Sequence, residues 1–299
     1  MTMDIPNLGG NAFFLACHAL LILPQIYYGI RHKTWGFLFG MLCGHVLEII
    51  GYVARIRMHF LHDEFLMYIV TLTIGPAFFS AAIYLCLARI ITVYGEGFSR
   101  FSPRTYTITF MISDFVALIF QAAGGAILGG EDPTKTDAGL AIIKTGLAAH
   151  LAAISIFVIL AGELGFRIHR NRDAWNPNFR ELQRSWRFKM FLICLTAATL
   201  CILIRTSYRV AELSGGYDSK LANDETAFMI LEGAMIVVAT ACLLAGHPGV
   251  CFEGRWGEAD FQLRKTDESA QFEKTESDPV PLSCLTTTTA PGFRKTETQ

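Results

Sequence analysis

Two apolar stretches of this chain carry polar side chains at one spacing. Arg205, Arg209 and Glu212 stand at i, i+4 and i+7, and Glu48, Tyr52 and Arg55 repeat that register with the charges in reverse order. On a helix each trio occupies one face. Ionisable groups inside a run long enough to cross a bilayer are costly, and by default they mark a ligand or ion path, or a contact between helices. The seven-residue rise within each trio is about 10.5 Å. If the two helices are neighbours at equal depth, Glu48 faces Arg205 and Arg55 faces Glu212, with Tyr52 and Arg209 between the two levels. Structural glue is the alternative role for such pairs, and snorkelling toward the headgroups is the alternative for charges near the helix ends.

Further polar residues interrupt other apolar runs. Asp114 and Gln121 lie two turns apart and are followed by Gly124-Gly125, a pair that allows close helix approach. Lys144, His150 and Glu232 stand in two more runs, and Gly75-Pro76 precedes Tyr84. A proline there frees a backbone carbonyl and can kink the helix. Glu48, Asp114 and Glu232 are the carboxylates suited to neutralise an amine headgroup. Together these residues are expected to line a polar cavity open to the outer side. Glu163 is expected to pair with Arg167 at i+4, and His247 to serve the last carbonyls of the helix it ends. His59 and His62 read as a fortuitous surface pair rather than a metal site. No cofactor, metal or nucleophile–base set is expected.

The elements that hold these residues follow from composition. The 299 residues are 52% apolar and only 17% charged, with a mean hydropathy of +0.39, against roughly a quarter charged in soluble domains. Charge is also uneven: residues 11–30 have none, whereas the last fifty are polar. That pattern is an all-α membrane protein. Counting runs of about 20 apolar residues predicts seven spans, near 11–30, 35–56, 65–93, 105–128, 138–166, 187–211 and 226–246. Residues 1–10 form a short N-terminal segment without the basic stretch of a cleaved signal, so the first run is expected to remain a span. Residues 250–299 read as a disordered tail. The cysteines fall singly, with no C-x-x-C pair.

Lys and Arg set the orientation. Arg31 and Lys33, Arg100 and Arg104, and a dense run from Arg167 to Lys189 fall in the odd loops, while the even loops lean acidic. The N-terminus is therefore expected outside and the tail in the cytosol. A net charge of −1 without a Lys/Arg stripe sets nucleic acid aside.

With these motifs in place the chain resembles the fungal lipid-translocating exporters, the family named for resistance to aminocholesterol. The likeness rests on Glu48-x-x-Gly51-Tyr52-x-x-Arg55, on Pro76-Ala77 with Ala81 and Tyr84, and on Asp114-x6-Gln121 with Gly124-Gly125. It continues through Arg205-x-x-Tyr208-Arg209-x-x-Glu212, Gly215-Gly216, Glu225 and Glu232, to His247-Pro248-Gly249. The resemblance implies seven helices in a fungal membrane and a role in sphingoid-base release, resistance to sterol-like toxins, or porphyrin traffic. His150 stands where the family's Gln is expected, and Ile236 where its Tyr is usual.

The expected function is export or translocation of amphipathic lipids or lipid-like toxins. The plasma membrane is the expected location, with an internal membrane as the alternative. No phosphate-binding G-x-x-x-x-G-K-[ST] loop occurs. A seven-helix lipid sensor is the second reading, although no acidic residue precedes Arg89 and no N-P-x-x-Y closes the last span. An intramembrane lipid-modifying enzyme is the third and weakest. The partner is a membrane lipid or amphipathic small molecule; the sequence does not set the oligomeric state.

Overall fold

Apolar runs of this length must satisfy every backbone polar group internally, which helices do. The computed structural model describes residues 6–60, 64–129, 136–215 and 224–259. Seven helices of 24 to 35 residues are long and apolar enough to cross a membrane. They are α1 (Leu8–Arg31), α2 (Trp35–His59), α3 (Phe65–Tyr94), α4 (Pro103–Leu128), α5 (Thr136–Arg170), α7 (Trp186–Ser214) and a composite last span, Glu225–Cys251. A short helix, α6 (Arg180–Arg184), precedes α7. The last span consists of α8 (Glu225–Phe228), a π-helical turn (Met229–Ala234), α9 (Met235–Ala245) and α10 (Pro248–Cys251). All seven predicted spans are present. Their ends run a few residues further than hydropathy alone marks, because arginines at an exit, as in α5, continue a helix without belonging to its apolar part.

Local sequence explains the ends. The Asn7 side chain caps α1 by accepting from Gly10 N, Ser102 caps α4 ahead of Pro103, and Asp224 caps α8. Small residues set the helix spacing. A Cβ on Gly44 would meet the Phe79 ring at 2.4 Å, and one on Gly51 would meet Leu72 at 2.3 Å, so α2 and α3 pack at glycine distance. Gly124 does the same for α4 against α5, where a Cβ would lie 2.7 Å from the Gly139 carbonyl.

The bundle has two unlike ends. The loops between α1 and α2, α3 and α4, and α5 and α7 leave from the arginine-rich end; the start of α1 and the ends of α2, α4 and α7 lie at the other, here called the N-terminal end. At the arginine-rich end Phe188, Phe191, Phe252 and Trp256 pack edge to face. The Arg89 guanidinium lies 3.9 Å from the Trp256 ring centroid and donates to the Trp256 carbonyl. The packed chain therefore runs past residue 249, where the tail was expected to begin, as far as buried Ala259. Paired aromatics hold this stretch despite its polar sequence. The rest of the expected tail, His62, and the acidic-loop residues Asp63, Glu131, Asp132 and Asp218 lie outside the described residues.

Candidate functional site

The polar residues singled out from sequence fall into two groups. The larger sits toward the N-terminal end, where α2, α3, α7 and the π-helical turn converge. Its centre is Arg205, which donates to Glu232 Oε1 and to the Leu72 carbonyl. The second bond follows from the sequence of α3. Pro76 has no N–H to offer the carbonyl four residues back, so Leu72 O is released from the helix ladder and the guanidinium takes it. The π-helical turn carries Glu232 into the bundle; such turns add a residue to the helix and are frequent at functional sites.

Arg209, one turn above, donates to Glu212 Oε2 at 2.6 Å and approaches Glu232 Oε1 at 3.7 Å. It also reaches the Tyr68 hydroxyl at 3.3 Å and Thr73 Oγ1 at 3.4 Å. Arg205, Arg209 and Glu232 are each only 1% exposed. Glu48 projects into the same region from α2, fully buried and with neither carboxylate oxygen hydrogen-bonded. It lies within electrostatic reach of Arg205, Arg209 and Glu232. A Cβ on Gly75 would lie 2.9 Å from Glu48 Oε1, so this glycine makes the room for the carboxyl.

The cross-pairing expected from spacing is not what forms. Arg55 pairs with Glu225 at 2.8 Å, not with Glu212, and Glu212 pairs with Arg209 on its own helix. Arg205 takes Glu232, not Glu48. The physical reason is α3: it packs along α2 through the glycines and meets α7, so Leu72 and Thr73 stand where the partners of α2 were expected. Equal spacing on two helices does not reveal a third between them. Apart from Glu48, these charges are in contact with one another.

Three buried polar residues on α1 were not singled out from sequence, and two of them join this region. Asn11 Oδ1 accepts from Arg55 Nε at 3.0 Å. His18 Nδ1 lies 3.0 Å from His45 Nδ1 of α2, and the His18 ring stacks on Tyr52 at 5.8 Å between centroids. Gln25 is buried further along, with both amide atoms unbonded. Asn11, His18 and Gln25 are two turns apart in an otherwise apolar span, so the spacing rule that flagged α2 and α7 would also have found them. Glu225, met in the sequence only as a loop acid and family position, completes the Arg55 site. That guanidinium also sits 3.7 Å from the Phe228 ring centroid.

The second group lies at mid-depth between α3, α4 and α5. His150 Nδ1 is 3.0 Å from Asp114 Oδ1, both buried, and Tyr84 is close to Asp114 and to Ser80. Gln121 shares the face of Asp114 but stands apart from the pair, against Gly146. At the arginine-rich end Glu163 pairs with Arg167 at 2.7 Å, as expected, and also with Arg100 at 2.7 Å. His247 N donates to the Leu244 carbonyl at 3.1 Å, as expected, and the His247 side chain also caps the following helix, which Pro248 starts, by accepting from Gly249 N at 3.1 Å. His59 Nδ1–H donates to the Pro6 carbonyl at 2.8 Å.

Comparison with known proteins supplies the remaining information. The family model described as RTA1 like protein matches residues 41–255. "Sphingoid long-chain base transporter RSB1" of Saccharomyces cerevisiae (strain Lalvin EC1118 / Prise de mousse) is 32% identical over 283 residues, covering 84% of this chain and 74% of that protein. "Protein RTA1" of S. cerevisiae (strain ATCC 204508 / S288c) is 25% identical, covering 87% and 79%. "Protein RTM1" of S. cerevisiae is 25% identical, covering 72% and 68%. No solved structure matches the chain.

Proposed function

Because the chain belongs to the RTA1-like family of multi-pass membrane proteins, we propose that it moves amphipathic lipids with a cationic head, of the sphingoid long-chain base kind, across the bilayer. One observation carries the reading. In the buried network two guanidinium groups, Arg205 and Arg209, face three carboxyls: Glu212 and Glu232, which they pair with, and Glu48, which has no hydrogen-bonding partner. A carboxyl in hydrocarbon surroundings is stable when it carries its own proton or faces a cation. Glu48 is thus an acceptor for an ammonium head, and the apolar helices around it suit the attached chain. Exchange of the carboxyl proton for the ammonium keeps the buried charge constant.

The relative's printed name points to the same cargo class. An amine-bearing sterol fits the same acceptor; a porphyrin, whose side groups are carboxylates, does not. The arginine-rich end faces the cytosol in this reading, by the positive-inside rule, and the plasma membrane is the proposed location. The test is reconstitution in phosphatidylcholine liposomes with a labelled long-chain base. Protein-dependent transbilayer movement is the predicted result. Binding without movement would favour a sensor, and loss of both would overturn the cargo assignment.

A further inference from the structure

A cavity of about 470 Å³ lies in the half of the bundle away from the charge network, between α3, α5 and α7. That volume is within the range of about 300–1,000 Å³ usual for small-molecule sites. Its walls are aliphatic and aromatic: Ile83 and Leu87 of α3, Phe157 and Leu164 of α5, Leu192 and Leu195 of α7. It exists because α5 is bare there. Gly162 and Gly165 line it, and a Cβ on either would meet nothing within 4 Å. From Phe157 to Ile168 the trough follows twelve residues of α5, about 16 Å of helix. Gly162, Thr196 and Leu200 are exposed on its flank, so it opens sideways onto the surface that faces hydrocarbon.

The mouth at the arginine-rich end is of different chemistry, and it is held in place. Arg172, His169, Trp175 and Tyr94 surround it, and no carboxylate is among the described residues that line the cavity. Arg172 Nη2 lies 3.0 Å from His169 Nδ1, which keeps the guanidinium at the opening. The loop that bears it is fastened to its neighbours. Trp175 Nε1 donates to Ile168 O at 2.9 Å, Asn176 N to Tyr94 O at 3.0 Å, and buried Gln183 Nε2 to Val93 O at 2.8 Å.

We propose that this trough binds one hydrocarbon chain of a membrane lipid whose anionic phosphate head is held at Arg172. The side opening admits a chain from the bilayer without passage through water, and the mainly apolar walls give an ordered water few partners. The cation at the mouth selects the head: a guanidinium pairs with phosphate in two parallel hydrogen bonds. Trp175 and Tyr94 stand where amphipathic rings meet the headgroup level. A long-chain base, which presents an ammonium, meets a like charge here. The site is therefore separate from the acceptor at Glu48, in position and in charge, and it does not rest on the transport reading. It places a phosphate-headed lipid between α5 and α7, the pair of helices it would wedge or lock.

The experiment uses the full chain in phosphatidylcholine nanodiscs doped with one photoreactive lipid carrying a mid-chain diazirine. Phosphatidylglycerol, phosphatidylcholine and a long-chain base are the three arms, and adducts are mapped by peptide mass spectrometry. Phosphatidylglycerol is predicted to label residues 157–168 and 192–200 at least fivefold more than phosphatidylcholine does. G162L is predicted to abolish that labelling by filling the trough. T196F fills it from α7 and serves if G162L does not fold. R172Q is predicted to keep chain labelling while losing the preference for phosphatidylglycerol. Equal labelling by phosphatidylcholine, or an undiminished preference in R172Q, would overturn the head assignment. Stronger labelling by the long-chain base would make the trough a cargo-tail site and overturn the proposal, whatever the outcome of the liposome assay.

Discussion

The two halves of the bundle solve opposite problems. Toward the N-terminal end, α2, α3, α7 and the π-helical turn bury charges against each other: Arg205, Arg209 and Glu232 are almost fully enclosed. Toward the arginine-rich end, ionic contacts such as Arg100–Glu163 sit at the surface, and the interior between α5 and α7 is apolar and hollow. The difference teaches where each kind of interaction carries weight. A buried pair cannot lose one partner cheaply, because the other is left uncompensated in hydrocarbon. An exposed pair gives its charges back to water.

Substitutions can break this contrast, starting with the largest effect. Glu232→Gln takes from Arg205 the carboxylate it is paired with; the expected loss is about 3–5 kcal/mol, the cost of removing one partner of a buried pair, read as lost yield and a collapsed melting transition in detergent. Gly51→Ala pushes a methyl into Leu72 and should cost about 1–3 kcal/mol through overpacking, measured by the same melt. A charge exchange sharpens the map of partners. Glu48→Arg combined with Arg205→Glu is predicted to melt no higher than the worse single variant, because Arg205 is tied to Glu232 and the Leu72 carbonyl and not to Glu48; rescue would restore the pairing that spacing alone suggests. Arg100→Gln, at the other end, should leave the melting temperature unchanged within error, since its partner Glu163 keeps Arg167.

Much of this was legible in residue types and spacing. Seven apolar runs became seven helices, and the Arg205, Arg209 and Glu212 face turned inward as its spacing requires. Pro76 also did what a proline must: it released a carbonyl, and the structure adds that Arg205 takes it. What could not be read was adjacency. Nothing in the spacing of Glu48 or Arg55 states that α3 stands beside α2, so the ion pairs were assigned to the wrong partners. The π-helical turn that presents Glu232 has no marker in Met229–Ala234, and its register depends on packing such as Gly233 against the Phe14 ring. The trough was invisible for the same reason: Gly162 and Gly165 read as ordinary small residues of an apolar span. Only the fold shows that no neighbour fills the space beside them.

Glu48 is the third carboxyl of a network with two guanidinium groups. Transbilayer movement of a labelled long-chain base in phosphatidylcholine liposomes, compared between the wild type and Glu48→Gln, measures its role. The amide fills the same volume and is neutral, so the variant is expected to melt within about 1 kcal/mol of the wild type, as for an isosteric change that breaks no ion pair, while protein-dependent movement falls at least tenfold. Unchanged movement by a folded Glu48→Gln protein would contradict the assignment of Glu48 as the acceptor of the cargo's ammonium head.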